Sequence, residues 1–253
     1  MSEYQIITFY EFKPMAALPE TKTALKTAMA VHSIRGTVIL ADEGFNSTVC
    51  GEPENIRDFI KAAEEILQTR LIYKSSFYQA MPFRRIDVKI KPEIVTLKEQ
   101  VRIEKGVGTH IGPVEWNTII TQDDVVVLDT RNDYEFKNGS FRNSINPGTG
   151  KFSDLPRFVA ENLDPKTHKR IAMFCTGGIR CEKFAPYMKH LGFEEVYQLE
   201  GGILKYLEIT RPEDSLWEGE CFVFDDRITV NKNLDKGTGP DHSQIDACRP
   251  EEN

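Results

Sequence analysis

Cysteine is scarce in this 253-residue chain, and its distribution argues against two kinds of site. The five cysteines are an odd number, widely scattered and without a Cys-x-x-Cys pair, unlike the disulfide framework of a secreted protein. Neither the cysteines nor the five histidines show the spacing that is typical of a zinc site. We therefore expect free thiols and no bound metal.

Long apolar runs are missing as well. No stretch reaches the roughly 18 apolar residues that a membrane-spanning helix requires. The segment Met1–Gln5 has neither the basic region nor the apolar core of a signal peptide. Because 40% of the residues are apolar, the chain can still bury substantial cores. We expect a cytoplasmic protein with one large domain or two ordinary ones.

Positive charge is in deficit, since the formal net charge is −7. Basic and acidic residues balance within residues 1–100, so the acidic excess lies in the later part of the chain. This sign does not favour nucleic-acid binding by the chain as a whole. A local basic patch can nevertheless provide it.

Residues 70–91 form such a patch, in which six basic residues outweigh the single acidic residue Asp87. The basic residues are Arg70, Lys74, Arg84, Arg85, Lys89 and Lys91, interleaved with Tyr73, Phe77, Tyr78 and Phe83. Basic side chains neutralise phosphates, and exposed aromatic rings stack on unpaired bases. Alternatively, the rings belong to a core and the cations only solvate one face of an edge strand.

The region 1–94 has the pattern of a β-α-β-β-α-β fold. Apolar residues at helical spacing from Leu25 to His32 indicate one helix, and Pro53 is well placed to begin a second. The strand candidates are Ile6–Tyr10, Thr37–Leu40, Thr48–Cys50 and Arg85–Lys91, with a turn at Asp42–Asn46. Two helices on one face of a four-stranded antiparallel sheet make the ferredoxin-like arrangement.

A glycine-containing segment, residues 95–113, predicts a linker to a second domain. Strands and helical patterns then alternate over residues 114–211, which predicts a doubly wound α/β domain with a parallel sheet. Its strand candidates are Val125–Leu128, Ile171–Phe174 and Val196–Leu199. Residues 212–253 form a C-terminal extension, with a hairpin predicted in Glu220–Val230 and disorder from Asn231 onward.

The most informative stretch of the sequence is Cys175–Arg180, which lies between a predicted strand and a helical pattern. The residues between its ends are Thr176, Gly177, Gly178 and Ile179. Glycines let backbone N–H groups turn inward and a helix N-terminus adds positive potential, so this stretch predicts an anion-binding loop. The same field stabilises a thiolate, which makes Cys175 the candidate nucleophile. The alternative is an ordinary strand-to-helix turn around a buried cysteine.

The length of this loop favours sulfur chemistry. The loop counts six residues from Cys175 to Arg180. Cysteine-based phosphatases with a similar layout use a loop one residue longer, which widens the cradle for phosphate. The shorter loop suits a smaller group, such as a sulfur atom carried as a persulfide.

Three segments in order make residues 114–211 resemble a rhodanese domain. They are Asp129–Arg131 with Tyr134–Phe136 and Gly139, then Cys175–Arg180, then Tyr197–Gly202. The stretch Ser140–Ile145 departs from the His-Ile-Pro-Gly-Ala-like run of many rhodaneses, so substrate access is expected to differ. The resemblance gives Asp129 and Arg131 a supporting role, while Arg180 would close the loop and hold the anionic group.

Two further runs, Ala41–Val49 and Leu216–Asp225, are not general rhodanese features. Together with the domain order, they make the chain resemble the tRNA uridine(34) hydroxylase family, which combines a ferredoxin-like domain, a rhodanese domain and a C-terminal extension. Glu43 and Asn46, in the first run, are weak site candidates. The resemblance implies oxygen-dependent conversion of wobble uridine to 5-hydroxyuridine, with Cys175 as the essential residue.

The same resemblance implies molecular oxygen as a substrate, the anticodon region of tRNA as a partner, and no evident cofactor. It makes Lys74, Arg84, Arg85, Lys89 and Lys91 candidate tRNA contacts. Cys181 is either a resolving thiol for an oxidised Cys175 or, as we favour, a packing residue.

Two other functions remain open from the sequence. The first is a sulfurtransferase that carries a persulfide from thiosulfate or a sulfur-donor protein to an acceptor. The second is a binding module with a vestigial loop, against which the intact loop argues.

Overall fold

The computed structural model describes residues 3–101 and 106–240. The first of these ranges contains a five-stranded sheet in the order β4-β1-β3-β2-β5. Its elements are β1 (Tyr4–Phe12), α1 (Leu18–Val31), β2 (Arg35–Ala41), β3 (Gly44–Gly51), α2 (Pro53–Leu67), β4 (Tyr73–Tyr78) and β5 (Ile86–Ile90). All neighbouring strands are antiparallel except β2 and β5, which are parallel.

The two helices cover one face of this sheet because alternate strand residues and one stripe of each helix are apolar. Ile7 and Phe9 of β1 are fully buried against Met29 of α1 and Phe59 of α2. The opposite face carries polar side chains such as Thr8, and no helix of this domain covers it. That face is therefore available to the second domain.

The prediction of a ferredoxin-like domain is confirmed, but the strand predicted as the fourth of the motif is a different one in the structure. The predicted fourth strand, Arg85–Lys91, corresponds to β5, which adds to β2 as a fifth strand. The fourth strand of the motif is β4, which pairs with β1. The sequence of β4 gave little signal because its exposed edge keeps Tyr73 and Phe77 partly in solvent. The predicted turn at 42–46 is also shorter, since β3 begins at Gly44.

The second domain has a parallel sheet in the order β6-β10-β9-β7, with helices on both faces. Its elements are β6 (Thr109–Ile111), α3 (Pro113–Ile120), β7 (Val125–Asp129), α4 (Asp133–Phe136), β8 (Gly139–Phe141), α5 (Leu155–Asn162), β9 (Arg170–Phe174), α6 (Ile179–His190), β10 (Glu195–Leu199) and α7 (Gly202–Ile209). The prediction of a doubly wound domain is confirmed. Strand β6 was missed because it is only three residues long and lies inside the predicted linker.

The C-terminal segment folds back over both domains through β11 (Trp217–Gly219), β12 (Cys221–Phe222) and β13 (Thr229–Val230). β11 pairs with β8, and β12 pairs with β13 as the predicted hairpin. The buried Arg227 holds the hairpin turn against the first sheet, since it pairs with Asp225 at 2.7 Å and donates to Ser76 Oγ at 3.0 Å.

The prediction of disorder from Asn231 onward does not hold for residues 231–240. The Glu220 carboxylate fixes this stretch by accepting the N–H groups of Thr238 and Gly239 and the hydroxyl of Thr229. This polar stretch is ordered without an apolar core because its backbone N–H groups make hydrogen bonds to a carboxylate. The remaining part of the predicted disordered segment, 241–253, lies outside the described residues. None of the helices within the described ranges combines the length and apolar character of a membrane span.

A buried ammonium joins the two domains. Lys183 of α6 places Nζ 2.7 Å from Glu43 in the β2–β3 turn and 2.6 Å from Glu93 after β5. It also donates to the carbonyl of Val95 at 3.1 Å, and its side chain is only 3% exposed. Glu43, a weak site candidate from the sequence, thus helps to dock the domains.

Replacing Lys183 with Met should lower the free energy of unfolding by about 3 kcal/mol, because two carboxylates then lose the buried cation between them. Urea denaturation followed by circular dichroism measures this change. The matched control is Lys61→Met, which removes a cation from an exposed pair with Asp58 and should leave the midpoint nearly unchanged.

The Lys183 effect should depend on pH. Burial raises the pKa of Glu93, but hydrogen bonds from Lys183 and the Leu97 N–H outweigh it, so the pKa lies below its ordinary value. The stabilisation is therefore present above the ordinary carboxyl pKa and is lost as the pH falls through the lowered folded-state value. Equal midpoints for Lys183→Met and the unaltered protein at neutral pH would contradict this account.

Candidate active site

Cys175 follows β9 directly and begins the loop that leads into α6. Gly178 has φ +100°, a conformation that favours glycine, and a Cβ there would lie 2.9 Å from the Tyr10 hydroxyl. This backbone turn aims the N–H of Gly178 at Cys175 Sγ, 3.1 Å away. The sulfur therefore lies at the N-terminus of α6 with backbone donors directed at it.

The loop stabilises the thiolate form of Cys175. Burial raises the pKa of this thiol, but several favourable interactions outweigh burial and lower the pKa to about 5. They are the Cys181 thiol hydrogen bond, the Arg180 charge and hydrogen bonds from the Cys181 and Arg180 backbone N–H groups. The Cys175 sulfur is therefore a thiolate at neutral pH.

Arg180, the predicted anion holder, is engaged elsewhere. Its guanidinium makes two hydrogen bonds to the Glu135 carboxylate, at 2.6 and 2.7 Å, and both side chains are buried. The Thr176 hydroxyl also contacts Glu135, at 3.3 Å. Glu135 was not singled out in the sequence, although its place three residues after Asn132 is a capping-box signal. The fork of Arg180 thus ties the loop to α4.

Asp129 and Arg131 form a fully buried ion pair at 2.6 Å beside the loop. Arg131 also donates to the carbonyl of Gly139 at 2.7 Å and lies 5.1 Å from the ring centroid of Trp217. These contacts fix the start of α4 and β8 in place. The supporting role that was expected for this pair stays a prediction.

Cys181 lies on the first turn of α6, fully buried, with Thr130 Oγ1 3.5 Å from its sulfur. Burial and the neighbouring Cys175 raise the pKa of Cys181 well above its ordinary value. Cys181 is therefore a neutral thiol that donates toward Cys175 in this structure.

Cys175 opens into a cavity of about 450 Å³ between the two domains. The polar face of the first sheet forms one wall, the Cys175 loop forms the opposite wall, and the C-terminal hairpin turn closes one side. The lining includes Thr8, Thr37, Asn46, Thr48, Lys74 and Lys91 from the first domain, Cys175, Gly177 and Arg180 from the second, and Phe224 from the hairpin turn. Its volume lies within the range of small-molecule sites.

The predicted tRNA contacts divide into two groups. Lys74 and Lys91 line the cavity. Arg84 and Arg85 are exposed outside it, and Lys89 is half-buried with its ammonium 3.3 Å from Asp87. Phe224, which the sequence did not single out, is 58% exposed while lining the cavity.

Within the ranges that the structure describes, no three His, Cys, Asp or Glu side chains are grouped to hold a metal ion. Sequence models of known families match both domains. The model of the UPF0176 acylphosphatase-like domain matches residues 4–94, and the model of the rhodanese-like domain matches residues 113–209.

A curated relative from Synechocystis sp., the tRNA uridine(34) hydroxylase, is 46% identical over 97% of this chain and 88% of its own length. The chain belongs to the tRNA uridine(34) hydroxylase family. Among solved structures, a Thermoplasma volcanium rhodanese-related protein is 28% identical, with a TM-score of 0.34, over 41% of this chain and 95% of its own. A Coxiella burnetii acylphosphatase is 14% identical, with a TM-score of 0.28, over 34% and 93%.

In this member of the hydroxylase family, Cys175 should be the first of the cysteines in the described ranges that iodoacetamide modifies at neutral pH. Its alkylation rate should rise through pH 5 and then level off, because the thiolate fraction is complete above the lowered pKa. Burial raises the pKa of both Cys50 and Cys221 to about 12, so these thiols should stay unmodified in the folded protein.

Peptide mass spectrometry after timed alkylation distinguishes the thiols, and the urea-unfolded protein provides the control in which all of them react. A Cys175 rate that keeps rising up to pH 9, as for an ordinary thiol, would show that the loop does not stabilise the thiolate.

Proposed function

We propose that this protein converts the wobble uridine of tRNA to 5-hydroxyuridine, with Cys175 as its reactive centre and molecular oxygen as co-substrate. The observation that carries the proposal is the shared cavity, in which the Cys175 thiolate faces the polar face of the first sheet. A base that enters this space would lie between the side chains of Thr8, Thr37 and Thr48 on the first sheet and the Cys175 sulfur. The family membership supports the same reaction.

The chemistry replaces the C5–H bond of uracil with a C5–OH bond. One atom of dioxygen enters the base and the other leaves as water. Two molecules of a free thiol would act as the reductant, supplying the two electrons and two protons and becoming a disulfide, so atoms and charge balance. The role of Cys175 in this scheme is to present an anionic sulfur to the base.

Phe224 supports the view that the ligand is a base. Its ring is largely exposed at the cavity, with Phe222 packed edge-on at 5.2 Å between ring centroids and Arg180 6.0 Å from the ring. Exposed rings of this kind stack on unpaired bases, and anticodon bases are unpaired. Phe224 would therefore hold the plane of the uracil beside Cys175.

A second candidate is a sulfurtransferase, which the six-residue loop and its inward N–H groups favour. The same donors that stabilise a thiolate would stabilise the anion of a Cys175 persulfide. A thiosulfate:cyanide assay tests this candidate directly. Two results together would favour the sulfurtransferase over the hydroxylase: thiosulfate turnover that competes with tRNA modification, and tRNA that carries no hydroxylated uridine.

The hydroxylase proposal predicts loss of 5-hydroxyuridine derivatives from tRNA when the gene is deleted in its own organism. Complementation with the unaltered gene or with Cys221→Ala should restore them, whereas Cys175→Ala should not. Nucleoside mass spectrometry measures the product, and growth under labelled dioxygen should place the label in the hydroxyl group. Full rescue by Cys175→Ala, or an unlabelled hydroxyl group, would contradict the proposal.

Replacing Phe224 with Ala should raise the KM for tRNA about tenfold and change kcat less, because one stacked base is worth about 1–3 kcal/mol. Steady-state hydroxylation with purified protein measures both constants. Val114→Ala, which truncates an exposed apolar side chain on α3, is the control. A Phe224→Ala variant with unaltered KM would remove the ring from substrate binding.

A further inference from the structure

One peptide group of the active-site loop has a partner on each side. The peptide between Gly177 and Gly178 donates its N–H to Cys175 Sγ at 3.1 Å. The carbonyl oxygen of the same peptide accepts a hydrogen bond from Lys74 Nζ at 2.6 Å. Lys74 belongs to β4 of the first domain, so an ammonium from one domain is linked through a single peptide to the sulfur of the other.

The loop itself does little to hold this peptide in place. It lies between two glycines, whose backbone dihedrals are the least restricted of any residue. A Cβ built on Gly177 would meet no described atom within 4 Å, so the space on that side of the residue is open. Rotation of the peptide would turn the carbonyl oxygen toward the sulfur and replace an attractive dipole with a repulsive one. The Lys74 hydrogen bond opposes this rotation.

Lys74 is suited to this task because Arg180, the cation of the loop itself, is committed. Arg180 gives both of its terminal nitrogens to Glu135. Lys74 is half-buried, with its ammonium 5.3 Å from the centre of the Tyr10 ring. A charged donor also polarises the peptide, which strengthens the hydrogen bond from the Gly178 N–H to the Cys175 sulfur.

The charge state of Lys74 reflects the groups around it. Burial and the neighbouring charge of Lys205 lower the pKa of Lys74 to about 8, although Cys175, Glu200 and Glu208 act in the opposite direction. The ammonium is therefore charged at neutral pH and loses its proton as the pH rises through about 8.

We propose that Lys74 is a positioning residue for Cys175: it holds the 177–178 peptide with its N–H on the sulfur and so keeps Cys175 in its thiolate form. The first domain thereby completes the electrostatics of the second domain's active site. Lys74 would act on the ionisation of the Cys175 thiol, which can be measured without tRNA and without any particular reaction.

The test is the pH dependence of Cys175 alkylation by iodoacetamide in full-length protein, read by peptide mass spectrometry. Lys74→Met should raise the apparent pKa of Cys175 by about one unit, which is about a tenfold loss of thiolate below that pKa. Lys74→Arg should restore most of the effect because it keeps a charged donor, whereas Lys74→Gln, a neutral donor, should restore less.

Lys26→Met is the control, since it removes an exposed cation from α1 in the helix layer of the same domain. It should leave the alkylation profile unaltered. An unaltered profile in Lys74→Met would overturn the proposal, and so would an equal shift in Lys26→Met, which would indicate a general effect of charge. If Lys74→Met does not fold by circular dichroism, Lys74→Gln decides the test by the same criterion.

Discussion

The docking of the first sheet's polar face onto the Cys175 loop is the constraint on which the site depends. A ferredoxin-like sheet ordinarily presents one helix-free face, and here that face forms a wall of the cavity instead of meeting solvent. The loop contributes the Cys175 sulfur to the cavity, and the sheet contributes polar side chains and the ammonium of Lys74. Neither domain alone contains the whole site. The site therefore depends on the surface at which the two domains meet.

Buried ion pairs fix the two domains relative to each other and fix the Cys175 loop relative to α4. Lys183 joins Glu43 and Glu93 across the domain boundary, and Arg180 joins Glu135 across the loop. Such pairs contribute little net stability, because desolvation offsets much of their attraction, but breaking one partner is costly. They therefore specify one arrangement among many compact ones.

The local part of the site could be predicted from the sequence, and its long-range part could not. The elements around Cys175 are neighbours in the sequence: a strand, two glycines and the start of a helix. A short stretch of sequence is therefore enough to predict the loop. The Lys74 contact joins residues separated by 103 positions, and no pattern near either residue announces it. Arg180 was identified as part of the loop, but its partner Glu135 depends on how α4 packs. Strand β4 escaped prediction for a similar reason, since its pairing with β1, and not its apolar pattern, makes it a strand.

If this protein hydroxylates the wobble uridine, that base enters the cavity between the first sheet and the Cys175 loop. Photo-crosslinking with tRNA that carries 4-thiouridine at position 34, followed by mapping of the crosslinked peptides, measures where the base lies. We expect crosslinks to peptides that contain Cys175–Arg180, Phe224 or the cavity face of β4. Crosslinks confined to α1 and α2, on the opposite side of the first sheet, would contradict it.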